Sequence, residues 1–433
     1  MPDLVIRNAR LVLPEGVVRG EISVTEGKIE RIAVTCAERG EREIDAKGRL
    51  VIPGVVDTEL HLPAPRKIRR FVRTETAAAS AGGVTTAVVS PDPLQISDAE
   101  DLRRTACAFR RASLIDLSLK AGPLTAGNLE RMQEIFVCGS RFFKISTCSP
   151  NMLPNEKILE AMEKAKILGA LLCVHAESEE VIHEAKEKWN GTDVSKLRPP
   201  RAEEKAVEDL LEKTRRMGAA VHFERMTTQK SCLLLAKAKR EHLPVSCAVS
   251  VHHLAFSAEG SKPFLKIHPP LRSAEDVEAL WRAISAGTVD IVSSCHSPAA
   301  REEVAALGPG EAPPGLPGVE TLLPFMFEFG VKRGKITLEL MVRVISTRPA
   351  QVFGLYPQKG ILREESDADL VILDDSMRRV RSESLHGVSG WSPYEGIEMS
   401  GFPFMTILRG EVIFEKGEVV GKPSGGEILL RPC

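Results

Sequence analysis

Apolar and polar positions along this chain alternate in two textures. Near the N-terminus, short runs of period two are separated by turn residues, which predicts strands at residues 4–6, 10–13, 21–25, 28–33 and 49–52. The C-terminal part returns to that pattern at 368–373, 405–409 and 411–414. Between them, continuous apolar runs at 85–89, 114–120, 142–146, 171–174, 219–223, 245–248 and 290–293 predict buried parallel strands. Amphipathic stretches at 156–168, 202–217, 230–241 and 274–286 predict the helices that separate them. Roughly eight such units over about 300 residues is the rhythm of a (β/α)8 barrel. The expected fold is therefore α/β: a (β/α)8 TIM barrel over 54–352, with a small β-sandwich built from 1–53 and 353–433. The Gly- and Pro-rich stretch 308–318 is expected to form a mobile loop over the barrel mouth.

Composition narrows the class without naming a reaction. Lys and Arg number 58 against 59 Asp and Glu, so no net field favours nucleic acid or an anionic membrane. Apolar runs such as 169–174 and 321–327 fall well short of the ~20 residues that span a bilayer. The opening Met1-Pro2-Asp3-Leu4 lacks a basic region followed by an apolar one, so no signal peptide is expected. Nine cysteines, an odd number without a Cys-x-x-Cys pair, suit free thiols in a reducing cytoplasm.

Barrels of this class gather their chemistry at the C-terminal ends of the strands. Residues there are Glu59 and His61, following the run 51–56, then Lys144, His175, Arg225, Cys295 and His296. The segment Val51-Ile52-Pro53-Gly54-Val55-Val56-Asp57-Thr58-Glu59-Leu60-His61-Leu62 resembles the opening of dihydroorotases, hydantoinases and allantoinases, where Asp-x-His-x-His ends the first barrel strand. Gly82-Gly83-Val84-Thr85-Thr86, Phe143-Lys144, His175-Ala176-Glu177, Pro269-Pro270-Leu271-Arg272, Pro317-Gly318-Val319-Glu320-Thr321 and Trp391-Ser392-Pro393-Tyr394 resemble later signatures of the same cyclic amidohydrolases, in the same order. The resemblance, closest to dihydroorotase, implies two cations sharing a hydroxide, bridged by a carboxylated lysine at Lys144. It also implies an aspartate that moves a proton from water to the leaving nitrogen.

The chain departs from that pattern where it matters. Glu59 stands at the first histidine of the pair, Arg225 at the last histidine ligand, and Cys295 at the catalytic aspartate; only His61, Lys144 and His175 are kept. At positions where relatives contact substrate, Pro63 replaces an arginine, Asp92 an asparagine and His268 another asparagine, while His296 is retained. Two readings stay open. In one, the chain is an active hydrolase of dihydroorotate or another cyclic amide in which Glu59, His61, a carboxylated Lys144 and Cys295 hold a single zinc, since glutamate oxygen and thiolate both ligate it. In the other, uncarboxylated Lys144 and Arg225 face Glu59 in a metal-free ionic cluster, because charges buried at a barrel mouth persist only when paired. The ligand set leans to the second, and a two-metal centre is not expected. The resemblance then implies a non-catalytic homologue acting by assembly, as a homo-oligomer or as a structural partner of aspartate transcarbamoylase. His222, inside an apolar run, is expected to be a core histidine, and His252-His253 a structural pair. The basic run 66–73 is expected to be a solvated or partner-facing surface.

Overall fold

A computed structural model describes residues 1–36, 38–62, 68–189, 191, 193–260, 264–306 and 315–430. Pro63, residues 66 and 67 of the basic run and residues 308–314 of the Gly- and Pro-rich stretch lie outside the described residues. The N-terminal segment supplies β1 (Leu4–Leu13), β2 (Gly16–Thr25), β3 (Lys28–Ala33), β4 (Arg42–Asp45) and β5 (Leu50–Pro53). Where the alternation predicts two strands, β1 is a single strand of 10 residues whose register against β2 slips between Ile6 and Ala9. Asn8 at that slip has φ +53°, a left-handed conformation that asparagine tolerates better than most residues.

The barrel strands are β6 (Val55–His61), β7 (Val84–Ser90), β8 (Asp116–Leu119), β9 (Phe142–Ser146), β10 (Leu171–His175), β11 (Val221–Glu224), β12 (Val245–Ser250) and β13 (Ile291–Ser293). They pair in parallel as β6-β7-β8 and β9-β10-β11-β12-β13. Parallel bridges from Ala121 to Phe143 and from Leu60 to His296 join the two sets into a closed ring. The chain then returns to the first sheet through β14 (Leu370–Asp374), makes a hairpin of β15 (Arg378–Arg379) and β16 (Glu398–Met399), and ends in β17 (Phe402–Leu408), β18 (Glu411–Glu415) and β19 (Glu418–Val419). β14 pairs with β5, so residues from both ends of the chain complete one nine-stranded sheet around a core that includes Leu4, Ile22, Val51, Leu370 and Ile407.

Gly54 explains why the single apolar run 51–56 serves two domains. β5 ends at Pro53 in the sandwich and β6 begins at Val55 in the barrel. A Cβ at Gly54 would stand 2.1 Å from Thr85 Oγ1, so only glycine permits this crossing. As a result Glu59 and His61 lie inside β6 rather than beyond it, because the barrel strand starts later than the apolar run does. The floor of the barrel is closed by Phe353, which meets Phe142 edge-on at 4.9 Å between ring centroids and packs with Val56, Val88, Cys173, Ala248 and Ile291. Just above it His222 is buried and its Nδ1 lies 2.8 Å from Ser246 Oγ, a satisfied core histidine.

Candidate functional site

Period-two alternation sends successive inward side chains up the barrel axis: His222 then Glu224 on β11, Cys173 then His175 on β10, and Phe142 then Lys144 on β9. In β6 the register against β7 slips between Asp57 and Leu60, the kind of irregularity that re-aims a side chain beside a site. Asp57 fastens the closure by accepting from the Ser294 backbone N–H at 2.9 Å and from its hydroxyl. Beyond β11 and β13, Arg225 and Cys295 take left-handed backbone conformations, with φ +53° and +46°. Such conformations cost roughly 1–2 kcal/mol each in a residue with a Cβ, and here they turn both side chains back over the mouth.

The mouth is a lattice of buried charge. Glu224 lies between two lysines: Lys120 Nζ is 2.5 Å from Oε1, and Lys144 Nζ contacts Oε2. All three side chains are at most 2 % exposed. Burial alone would push the Glu224 carboxyl upward, but Lys120 and then Lys144 outweigh it and hold the group well below the ordinary carboxylate range. Burial likewise opposes the Lys120 cation, and Glu224 more than reverses the effect. Beside this triad, Arg225 Nε stands 2.8 Å from Glu59 Oε1, off the line of a hydrogen bond. Ser293 Oγ lies 3.4 Å from the other Glu59 oxygen. Burial works against the Glu59 carboxylate too, but Arg225, with His61 and Lys144, holds it at about 2.

Glu59, His61 and Cys295 offer ligand atoms within 4.8 Å of one another. His61 Nδ1 is 3.1 Å from the Asp92 carbonyl and Nε2 is 3.7 Å from Glu59 Oε1. Donation from Nδ1 to that carbonyl leaves Nε2 with a lone pair directed at the group, the arrangement that orients metal-binding histidines. The Cys295 thiol is pushed upward by burial and then by Glu59, and Arg225 Nη1 stands 4.0 Å from its sulfur.

The structure thus brings Glu59, His61, Lys144, Arg225 and Cys295 to one place, with a partner assignment that differs from the expected one. Lys144 faces Glu224 rather than Glu59: the two point inward from β9 and β11, the strands on either side of β10, and Arg225 already stands against Glu59. His175 stands to one side, its Nε2 2.8 Å from Glu177 Oε2. His296 was expected to touch a substrate, but both its ring nitrogens are spent within the protein. Nε2 meets Glu75 at 2.8 Å, while Nδ1 accepts from the Gly318 and Val319 amides. The Asp92 side chain accepts from Asn151 Nδ2 at 3.2 Å. His268 is held near 3 by burial and then by Arg198. His252 and His253 are buried, Nδ1 of the first 3.0 Å from the Tyr394 hydroxyl and Nε2 of the second 2.9 Å from the Pro269 carbonyl.

Sequence reading missed Glu224 and Lys120. Each is an ionisable residue at the edge of an apolar run, a signal that carries weight because a buried charge requires a partner. A dinuclear centre of the kind the resemblance implies does not fit these residues. Lys120, Lys144 and Arg225 contribute three positive charges against two carboxylates, Glu59 and Glu224. At about 4 Å each like-charge pair costs about 4 kcal/mol in an effective dielectric of about 20, and a divalent ion doubles that.

The buried histidines make stability depend on pH in a definite sense. Burial lowers His222 and His253 to about 4 and His252 and His268 to about 3. Below the unfolded value of about 6.5, the unfolded chain takes up protons that the native one refuses, so stability falls as pH drops from there. Glu59 and Glu177, both held at about 2, act in the same direction once pH falls below the unfolded glutamate value of about 4.3. By pH 5 each histidine should remove about 1–2 kcal/mol. His175 and His386 are shifted upward and act the opposite way, but the four lowered histidines outnumber them, so urea midpoints measured from pH 8 to 4 should decline below 6.5; a level midpoint between 7 and 5 would contradict this.

Comparison with known proteins agrees with the architecture. The model described as "Amidohydrolase family" matches residues 50–413. A dihydroorotase of Methanosarcina mazei is 34% identical, covering 99% of this chain and 98% of that protein. An L-hydantoinase of Paenarthrobacter aurescens is 30% identical over 100% of this chain and 98% of its own length. The solved structure of the L-hydantoinase (dihydropyrimidinase) from Arthrobacter aurescens superposes with a TM-score of 0.95 at 29% identity, covering 100% of both chains. The matched span includes all eight barrel strands and, of the nine-stranded sheet, β5, β14 and β17, and the shared lineage is one of cyclic-amide hydrolases. The chain belongs to the amidohydrolase family.

Proposed function

We propose that this protein is a dihydroorotase-like homologue, linked to pyrimidine synthesis, in which a buried ion-pair network replaces the dinuclear centre. In this reading it does not hydrolyse dihydroorotate and acts in the cytoplasm by assembly, with copies of itself or with aspartate transcarbamoylase. One observation carries the reading: the Glu224 carboxylate contacts the Lys144 amine, the nitrogen that would have to be carboxylated to bridge two metals. Lys120 and Arg225 make the same volume hostile to further positive charge. No helix among the described residues is long and apolar enough to cross a membrane.

A second reading rests on a separate observation, the convergence of Glu59, His61 and Cys295. One zinc held there would require Arg225 to leave Glu59 and the thiol to ionise, with the metal lowering the pKa of a bound water.

The deciding measurement is a dihydroorotase assay in both directions, beside elemental analysis of protein purified without chelators. The first reading expects no turnover above the uncatalysed rate, with or without added zinc. Zinc-dependent turnover approaching about 1 s⁻¹, the low end of ordinary enzymes, would replace it with the second.

A further inference from the structure

A second cluster lies beside the first and, His175 apart, uses residues outside the usual ligand positions. The loop after β9 and the loop after β10 are stitched together by Thr147. Its hydroxyl accepts from the Glu177 amide at 2.9 Å and donates to the Glu177 carbonyl at 2.8 Å. Its own amide donates to the His175 carbonyl at 3.1 Å. This stitch presents Cys148 and Glu177 on either side of His175. Each of the three offers one ligand atom, all within 4.8 Å of one another, and all three residues are buried. Ligands of a tetrahedral zinc, at ~2.0–2.3 Å from the ion, stand roughly 3.5 Å apart, so only a small contraction is needed.

Two further observations point to a missing partner. His175 Nδ1 and Glu177 Oε1 are buried and have no hydrogen-bond partner among the described residues. Buried polar atoms are normally satisfied, and leaving one bare is unfavourable. The cation now at the cluster is Arg198, whose Nη1 contacts Glu177 Oε2 and lies 3.6 Å from Cys148 Sγ. Its side chain is 14% exposed, so it lies at the edge of the cluster that meets solvent.

We propose that Cys148, His175 and Glu177 form a site for one thiophilic divalent cation such as zinc, on the shoulder of the barrel mouth, with Arg198 as the internal cation that the metal displaces. The thiolate, imidazole and carboxylate donors match the preferences of zinc-class ions, and three protein ligands leave a fourth position for water. Cys148 gives up its proton to solvent on binding, as thiol ligands do. The site shares His175 alone with the usual dinuclear set and does not depend on whether the Glu59 cluster is catalytic.

Cobalt(II) is the probe, because a thiolate ligand gives it a charge-transfer absorption that oxygen and nitrogen ligands lack. The full-length wild type should bind one cobalt per chain with that absorption, and zinc should displace it. Cys148→Ser and, independently, Glu177→Gln should weaken binding at least about tenfold, the first also abolishing the absorption. Cys295→Ser should keep both. Arg198→Gln should tighten binding roughly ten- to hundredfold, the size expected from removing a charge-assisted competitor. Circular dichroism of each variant confirms that it is folded. An absorption that survives Cys148→Ser, or is lost in Cys295→Ser alone, overturns the proposal. So does a failure of both wild type and Arg198→Gln to bind one cobalt per chain.

Discussion

Replacing Glu224 with alanine should destabilise the protein by about 3–5 kcal/mol, the range found when one partner of a buried ion pair is removed. The substitution leaves Lys120 and Lys144, each at most 2 % exposed, facing one another without an anion. The loss should appear as a large drop in the denaturant midpoint at pH 7. Changing all three residues together, Lys120→Met, Lys144→Met and Glu224→Leu, should return stability to near the parent, since a packed apolar substitute for a buried ionic group is often neutral or better. The sign with pH is also set. The Glu224 carboxyl is held well below its ordinary value by the two lysines. Its contribution is therefore fully present above the unfolded glutamate value and is lost as pH falls toward the folded one. A Glu224→Ala penalty under about 1 kcal/mol would mean that the two lysines are not a desolvated cation pair.

Restoring only the obvious ligands should fail to rebuild a two-metal centre. Glu59→His, Arg225→His and Cys295→Asp return the residue types that the resemblance calls for, yet they leave Lys144 clasped by Glu224 and Lys120 close by. A lysine must be neutral to add carbon dioxide, and a unit positive charge at ~4 Å opposes a divalent ion by about 8 kcal/mol at an effective dielectric of ~20. The triple variant is expected to bind at most one zinc. Adding Glu224→Ala and Lys120→Met releases Lys144 and removes the second cation, and this five-fold variant should bind two. Zinc stoichiometry measured in a Cys148→Ser background, which removes the shoulder cluster, with a carbamate signal from protein equilibrated in ¹³C-bicarbonate, distinguishes the two proteins. Two zinc ions in the triple variant would show that Glu224 and Lys120 do not govern the site. Turnover of dihydroorotate should stay low even in the five-fold variant, because Asp92 stands at a position where the resemblance implies a neutral donor for an anionic substrate.

Taken together, the two experiments separate stability from chemistry at one residue. Glu224 is expected to hold the barrel mouth together and, by the same contact, to keep Lys144 from the carboxylation that the resemblance implies.

Much of this architecture is written in local pattern. Continuous apolar runs of strand length, separated by amphipathic helices, specify a parallel barrel because both faces of each strand are covered. The runs at 142–146 and 171–174 therefore fall on β9 and β10 with little error. Motif order pointed to Glu59, Arg225 and Cys295 as neighbours at one mouth, and the opposite charges of the first two agree with the contact between them. Three features needed the tertiary structure. The run 51–56 belongs to two domains, since a steric clash at Gly54, and not hydropathy, decides where the strand breaks. Glu224 and Lys120 are 104 residues apart in sequence, and only closure of the ring between β8 and β9 brings them to hydrogen-bond distance. Cys148, His175 and Glu177 meet because Thr147 ties two loops together. Hydropathy is a property of each short segment and survives in the sequence. Which charge pairs with which depends on how strands far apart in the chain are set side by side, and the packed barrel alone determines that.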